Sequence, residues 1–265
     1  MKDFWSRCAV TLVAIGVLIA LLVFAFHPWV QYGVVLFVAC LAAVAIWEYD
    51  RMSQVKNGKV LFPLSVAIVF SFFLQAGWPL LVFFLAVATL FAFHFRRLEG
   101  AILDLAVSSF GLLYIAVPLG MMLGILFMPK GDGRIWIVYL LAVTKATDMG
   151  GYFFGSLWGK RKLAPTISPS KTVEGAIFGW IAAIVVSGLF SLSGSIGLYP
   201  SLLLGAILGV ASQFGDLSES LLKRDANIKD SNQIPGVGGV LDMVDSLLCT
   251  APILYLYLSA YDHCY

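Results

Sequence analysis

The stretch GVGGVLDMVDSLLCTAPILYLYL, residues 236 to 258, joins a glycine-rich turn to a long apolar run. The run from Leu247 onward has the composition of a membrane-spanning helix. Asp242 and Asp245 lie directly before it, three residues apart, so a helix brings both carboxylates to one face. An ionisable group at the head of an apolar helix is costly to dehydrate and usually has a function. The stretch therefore predicts a helix that enters a membrane with a polar site at its beginning.

The composition extends this prediction to the whole chain. Of its 265 residues, 60% are hydrophobic and 12% are charged, whereas a soluble domain has about 45–50% apolar and about 25% charged residues. The net charge is +2, which gives little electrostatic support for a nucleic-acid partner. The four cysteines have no CxxC spacing, which indicates neither a disulfide framework nor a zinc site. An integral membrane protein is the class that remains.

Clusters of polar residues, glycine and proline divide the chain into nine apolar segments of about the 20 residues that cross a bilayer. The predicted spans are 8–26, 29–47, 60–76, 78–95, 101–128, 135–155, 174–193, 199–219 and 245–261. The predicted fold class is therefore all-α, a polytopic integral membrane protein with about nine transmembrane helices. We expect residues 1–265 to form a single integral membrane domain, in which 1–134 are a scaffold half and 135–265 a catalytic half.

The positions of lysine and arginine orient this topology. If the N-terminus is cytoplasmic and the chain changes side at each span, all of the 17 basic residues except Lys130 and Arg134 are cytoplasmic. Membrane proteins concentrate positive charge on that side. The distribution predicts a cytoplasmic N-terminus and an outer C-terminus. Chemistry is expected on the cytoplasmic face, because the long loops 156–173 and 220–244 are predicted there.

Residues 147–175, TDMGGYFFGSLWGKRKLAPTISPSKTVEG, combine several glycines with basic residues. Ser168 and Thr172 precede a new helix, whose first backbone amides attract an anion. A glycine-rich turn, a helix start and cations such as Lys160 and Lys171 are together typical of a phosphate cradle. The segment lacks the GxxxxGK[ST] pattern of a Walker A motif. A charged loop that binds lipid head groups is the alternative.

Residues 215–230, GDLSESLLKRDANIKD, place charged side chains at helical spacing. Asp216 and Glu219 share one face of a helix, as do Glu219 and Lys223. Asp216 directly continues an apolar run, where an ionisable group usually serves a function. The alternative is a solvated helix end that is stabilised by ion pairs.

Four carboxylates, those of Asp148, Asp216, Asp242 and Asp245, therefore border a basic cytoplasmic face. For the last two, the alternative is a helix N-terminus whose dipole favours negative charge. Oxygen ligands suit Mg²⁺, which takes a few carboxylates together with water and substrate phosphates. Cations beside such a metal offset the charge that develops when a phosphate group is transferred. The pattern predicts phosphoryl or nucleotidyl transfer at a membrane surface.

The sequence SLLKRDANIKDSNQIPGVGGVLDMVDS, residues 220–246, resembles the signature of the phosphatidate cytidylyltransferase (CDP-diacylglycerol synthase) family. The segments GDLSES and ISPSKTVEG resemble two further motifs of that family, so the resemblance covers residues 147–252. It implies that phosphatidate and CTP give CDP-diacylglycerol and pyrophosphate in phospholipid biosynthesis, with Mg²⁺ and a potassium ion. The chain has Val237 where the family has histidine and Met243 where it has arginine. The reaction does not need the histidine as a general base, because a phosphate monoester has a second pKa of about 6 and is already anionic near neutral pH.

The site residues follow from the resemblance by motif position. Asp216, Asp242 and Asp245 would hold or orient the metal. Lys223 and Arg224 would act with them as catalytic residues and hold phosphates. The expected residues for substrate and nucleotide binding are Asp148, Lys160, Ser168, Lys171, Thr172, Glu174, Glu219, Ser220, Lys229, Gly238 and Gly239.

Two other functions stay open, a CTP-dependent polyprenol or lipid-alcohol kinase and a non-enzymatic cation transporter. A kinase that acts on a neutral hydroxyl gains from a general base. A transporter is expected to have carboxylates near mid-span, whereas here they lie at the cytoplasmic ends. The expected partners are CTP, phosphatidate and the lipid bilayer, and no nucleic acid is expected. A homodimer is a further possible partner state. The expected location is a bacterial inner membrane with the active site facing the cytoplasm.

Overall fold

The computed structural model describes residues 16, 19–53, 58–74, 77–95, 99–129, 131–232 and 239–264, with side chains as far as residue 260. Its helices are α1 (Pro28–Ser53), α2 (Gly58–Leu74), α3 (Trp78–His94), α4 (Ala101–Gly111), α5 (Val117–Leu126), α6 (Gly133–Trp158), α7 (Val173–Phe190), α8 (Leu198–Asp225) and α9 (Val240–Cys264). A π-helical turn, Leu112–Ala116, joins α4 to α5, and a 3-10 turn, Ser191–Ser193, follows α7. The strands are β1 (Lys162–Ala164) and β2 (Ser168–Thr172). The predicted all-α class is confirmed, with the addition of this one short hairpin in the described part of the chain.

Within the described residues, five helices are long and apolar enough to cross a membrane: α1, the continuous α4–α5 helix, α7 with its 3-10 turn, α8 and α9. They coincide with the predicted spans 29–47, 101–128, 174–193, 199–219 and 245–261. The spans 60–76 and 78–95 coincide with α2 and α3, apolar helices of 17 residues each. The span 135–155 corresponds to α6, and the span 8–26 lies mainly outside the described residues. The polytopic membrane character is confirmed, while the number of spans and the sides of the two termini stay predictions.

The chain divides into two compact units. Unit 1 comprises Met1–Pro129 and Asp230–Met243, and unit 2 comprises Lys130–Lys229 and Val244–Tyr265. In unit 1, α2 packs against α1, α3 and α5. Its core consists of fully buried aliphatic side chains such as Ile46, Leu61, Ile68, Leu112 and Ile115.

The π-helical turn of unit 1 is followed closely by Pro118. Proline has no N–H to donate to the carbonyl four residues earlier. A π-helical turn adds one residue to the helical repeat and re-routes the hydrogen bonds around such a break. The apolar helix therefore continues across it from Ala101 to Leu126.

In unit 2, α6 begins at the N-cap Asp132, whose carboxylate accepts hydrogen bonds from the backbone N–H and the guanidinium of Arg134. The side-chain hydrogen bond from Arg134 lowers the pKa of the Asp132 carboxyl. The cap therefore stays charged to a lower pH than an ordinary aspartate, and its negative charge complements the positive end of the helix dipole.

Glycines bring α6 and α7 together, backbone against backbone, along a contact that we call the glycine seam (Gly150, Gly151, Gly155, Gly175 and Gly179). A Cβ atom at Gly175 would lie 2.6 Å from the carbonyl oxygen of Gly151 and 3.0 Å from the Cα of Gly155. A Cβ atom at Gly179 would lie 2.6 Å from the carbonyl oxygen of Thr147. Only residues without a side chain allow this approach.

We expect Gly179→Val to destabilise unit 2 by about 1–3 kcal/mol, because extra carbon atoms in a filled interface force the helices apart. The thermal unfolding midpoint of the detergent-solubilised protein, followed by circular dichroism, measures the effect. Gly33→Val is the matched control, since a Cβ atom at this helical glycine meets nothing within 4 Å. Equal midpoints for the two variants would contradict the direct backbone contact.

The hairpin leads the chain into the start of α7. β1 and β2 are antiparallel and pair Lys162 with Thr172 and Ala164 with Ser168. Thr172 ends β2 and is also the N-cap of α7, where its Oγ1 accepts a hydrogen bond from the N–H of Gly175 at 3.2 Å. A threonine at this position satisfies one of the free amides of the first helical turn. The hairpin and the helix start are therefore one connected element.

Candidate active site

Unit 2 contains a cavity of about 430 Å³ that is bordered by α6, α7, α8 and the hairpin. Polar side chains come from three of these elements: Asp148 from α6, Lys171 from β2, and Gln213 and Asp216 from α8. The glycine seam forms part of its wall. The predicted site residues Asp148, Lys171, Thr172 and Asp216 are thus brought together, although they are up to 68 positions apart in the chain.

Lys171 and Asp216 form an ion pair in this cavity, with 2.5 Å between Nζ and Oδ2. Their side chains are 26% and 32% exposed, so the attraction is less screened than at an open surface. An ammonium group has three protons. Lys171 is therefore equipped to bind Asp216 and an oxygen of an anionic ligand at the same time.

Asp148 and Asp245 bring two further carboxylates close to Asp216. Asp245 is 8% exposed and interacts electrostatically with both of the others. The ammonium of Lys145 lies 3.6 Å from Asp148. Like charges in a partly dehydrated region repel each other strongly, so the three carboxylates together favour an added cation.

The hairpin that carries Lys171 is fastened at both of its ends. The carboxylate of Glu174 accepts hydrogen bonds from the backbone N–H groups of Lys160 and Arg161, at 3.0 and 3.1 Å. The Nε of Arg224 donates to the carbonyl oxygen of Ile167 at the hairpin turn, at 3.2 Å. The predicted residues Glu174, Lys160 and Arg224 are therefore placed around the hairpin, where these contacts hold it in position.

The remaining predicted residues of unit 2 do not line the cavity. Glu219 is fully buried and pairs with Lys223, one helical turn later on α8. Ser220 is buried next to it, and Lys229 is exposed after the end of α8. Ser168 begins β2 in the pair with Ala164.

Asp242 belongs to unit 1, in the first turn of α9. Its Oδ2 accepts hydrogen bonds from the backbone N–H and the hydroxyl of Ser231, each at 3.1 Å. A Cβ atom at Gly239 would collide with the hydroxyl of Ser231, so only glycine permits this arrangement. The predicted residue Gly238 lies outside the described residues, as does Val237.

The acidic residues are candidate ligands of Mg²⁺. In the described part of the chain, no group of three acidic, histidine or cysteine side chains has the geometry of a complete metal site. Mg²⁺ does not require one, because it binds through one or two carboxylates and completes its coordination with water and substrate phosphates. Asp216 and Asp245 interact electrostatically and supply hard oxygen donors, which suit this chemistry.

Sequence reasoning missed several polar residues of the cavity region. Thr147, Tyr152 and Gln213 line the cavity, and the hydroxyls of Ser212 and Ser246 lie 3.5 Å from the Oδ1 of Asp148. One signal was present, since Gln213 precedes Asp216 by three residues in an apolar run and so shares its helix face.

Comparisons with known proteins show the family to which the chain is similar. The model of the cytidylyltransferase family matches residues 5–261. The chain is 33% identical to a phosphatidate cytidylyltransferase of Chlamydia pneumoniae, over 97% of this chain and 92% of the relative. It is 36% identical to one of Staphylococcus haemolyticus, over 91% of this chain and 96% of the relative. A third, of Bacillus subtilis, is 46% identical over 49% of each chain.

Proposed function

The chain belongs to the cytidylyltransferase family, and we propose that it transfers the cytidylyl group of CTP to phosphatidate in phospholipid biosynthesis. The products are CDP-diacylglycerol and pyrophosphate. The observation that carries this proposal is the cavity of unit 2, in which Lys171 pairs with Asp216 beside two further carboxylates. Such a combination of a cation and oxygen ligands suits a substrate with several phosphate groups.

The reaction joins two phosphates, and its bonds balance without a base from the protein. An oxygen of the phosphatidate phosphate forms a bond to the α-phosphorus of CTP, and the bond from that phosphorus to the β-phosphate bridge breaks. The monoester has a second pKa of about 6 and is mostly dianionic at neutral pH. The protein therefore has to position two anions and offset their charge.

Each of these tasks has a candidate residue. Lys171 binds phosphate oxygens and is itself held by Asp216, while the first amides of α7 add a site that favours negative charge. Glu174 and Arg224 keep the hairpin, and with it Lys171, in place. Asp216 and Asp245 are the proposed Mg²⁺ ligands in unit 2, and Asp242 stays a predicted third one. The metal supplies neutralisation of the phosphate charge when it is bound. The potassium ion that the resemblance implies stays a prediction without assigned ligands.

We place the reaction at the cytoplasmic face of a bacterial inner membrane. The support is the distribution of basic residues, which predicts that the segments with Lys171 and Asp216 face the cytoplasm. The bacterial relatives support the organism class. The homodimer stays a prediction, which the mass of the purified particle in lipid nanodiscs tests.

The position of the label in CTP tests the proposed reaction. We expect purified protein with phosphatidate micelles and Mg²⁺ to move label from the α-phosphate of CTP into lipid, and to leave label from the γ-phosphate in pyrophosphate. Removal of Mg²⁺ with EDTA is expected to reduce transfer to background, and added Mg²⁺ is expected to restore it.

A lipid-alcohol kinase gives the opposite labelling, because it transfers the γ-phosphate. A parallel reaction with a polyprenol in place of phosphatidate separates this alternative. Protein inactivated by heat is the control for chemical exchange. Transfer of γ-label to either lipid, or no transfer of α-label to phosphatidate, would contradict the proposal.

A further inference from the structure

Glu48 is a buried carboxylate in a part of unit 1 that the motifs do not reach. It lies near the end of α1 and is 0% exposed. Its Oε1 accepts a hydrogen bond from the N–H of Val240 at 3.0 Å, and its Oε2 accepts one from the N–H of Leu241 at 2.8 Å. The Oε2 also accepts one from the hydroxyl of Ser231 at 2.9 Å. All four residues belong to unit 1.

These contacts give α9 an N-terminal cap that comes from a distant part of the chain. The first amides of a helix have no partner in the helix and are commonly capped by a side chain of the residue directly before it. Here that residue is Gly239, which has no side chain and no room for one. Glu48, which precedes Val240 by 192 positions, supplies the acceptors instead.

The same carboxylate reaches Asp242 through a single intermediate. The hydroxyl of Ser231 lies 2.9 Å from Glu48 and 3.1 Å from the Oδ2 of Asp242, and its backbone N–H also donates to that Oδ2. Ser231 is 7% exposed. Because Ser231 and the first turn of α9 are both held by Glu48, the position of the Asp242 carboxylate depends on Glu48.

We infer that Glu48 is a positioning residue, which fixes the first turn of α9 and, through Ser231, the carboxylate of Asp242. Its role in the reaction rests on the proposed function, because Asp242 is a predicted metal ligand. The capping contact itself does not depend on the proposed function. An ionised carboxylate without exposure to water is costly unless it is hydrogen-bonded, and the donors of Ser231, Val240 and Leu241 meet this requirement.

Glu48→Gln is the first test. A glutamine replaces one of the two acceptor oxygens by an NH₂ group that faces an N–H donor, so at least one of the two capping bonds is lost with little change in volume. We expect the amides of Val240 and Leu241 to exchange hydrogen at least about tenfold faster. We also expect the Mg²⁺ concentration for half-maximal activity to rise roughly 10–100-fold, as is typical when the partner of a metal ligand is lost. The KM for phosphatidate is expected to stay within about twofold of wild type. A general loss of structure would raise this KM as well, so the KM distinguishes the two causes.

Asp50→Asn is the matched control, because it removes a carboxylate from the same helix that lies against Gly58. It is expected to leave amide exchange at Val240 and the Mg²⁺ requirement unchanged. Wild-type exchange and a wild-type Mg²⁺ requirement in Glu48→Gln would overturn the inference.

Ser231→Ala decides the question if Glu48→Gln does not fold. It removes the hydroxyl that joins Glu48 to Asp242, but keeps both backbone hydrogen bonds to Glu48 and the one from the N–H of residue 231 to Asp242. The amides of Val240 and Leu241 are expected to stay protected while the Mg²⁺ requirement rises, and an unchanged requirement would overturn the link. If the wild-type protein forms no CDP-diacylglycerol, the proposed function fails, but amide exchange still tests the contact of Glu48.

Discussion

Asp216→Asn is expected to lower the rate of CDP-diacylglycerol formation by at least about 10³-fold, or about 4 kcal/mol of transition-state stabilisation at 1.36 kcal/mol per factor of ten. The substitution keeps the shape of the side chain and removes its charge. The variant loses an oxygen ligand for the proposed Mg²⁺ and the partner of Lys171. Both losses act where negative charge gathers on the phosphates, so the effect is expected mainly in kcat.

Steady-state kinetics with CTP labelled at the α-phosphate measure this effect. Asp225→Asn is the matched control, since Asp225 is exposed at the end of the same helix, and it is expected to stay within about twofold of wild type. The thermal midpoint of both variants shows whether they are folded. A folded Asp216→Asn protein with more than a tenth of wild-type activity would contradict a role in the metal site.

Lys171→Met is expected to be the second most damaging change, with a loss of about 10²–10³-fold in kcat/KM, the range typical for one group that stabilises developing charge. Methionine keeps much of the length of the lysine side chain but has no charge. The variant cannot bind phosphate oxygens at the head of α7, and Asp216 loses its partner. We expect the KM for CTP to rise together with the fall in kcat.

Lys171→Arg and Lys162→Met complete this test. Arginine keeps the charge but not the shape of the ammonium, so an intermediate rate is expected. Lys162 is exposed on β1 of the same hairpin, and its replacement by methionine tests whether the charge of the hairpin alone matters. Equal losses in Lys162→Met and Lys171→Met would contradict a specific role of the pair with Asp216.

Hydropathy predicted the helices well and their ends less well. α8 continues to Asp225, although the predicted span ends at 219, and α9 begins at Val240, although the predicted span begins at 245. Hydropathy ends a span where charged and glycine-rich segments begin. The helices continue past them, because Glu219 and Lys223 pair along α8 and because carboxylates are favoured in the first turn of a helix such as α9.

The hairpin could not be predicted from its sequence pattern. Its strands have three and five residues, contain Pro169, and are interrupted by a turn that contains Pro165. Such a segment is typical of a loop. Its ends are held by the side chains of Glu174 and Arg224, which lie outside the two strands and, for Arg224, on another helix.

The residues that line the cavity could be predicted where charged residues stand out in a motif. Asp148, Lys171 and Asp216 were recognised because charges interrupt apolar helices or follow glycines, and the structure brings them together. Glu48 has the same signal, a carboxylate in an apolar run, but its partners lie 183 to 193 positions away. Helical periodicity does not report on contacts at such separations.

The glycine seam has a consequence for the path of the lipid. Two acyl chains need a lateral opening about as wide as the chains themselves, and α6 and α7 touch through their backbones beside the cavity. The described residues of α6 and α7 leave no such opening along their contact. If the head group of a two-tailed substrate binds at Lys171, as we propose, its tails leave unit 2 away from the α6–α7 contact, because that flank of the cavity is closed by the two helix backbones.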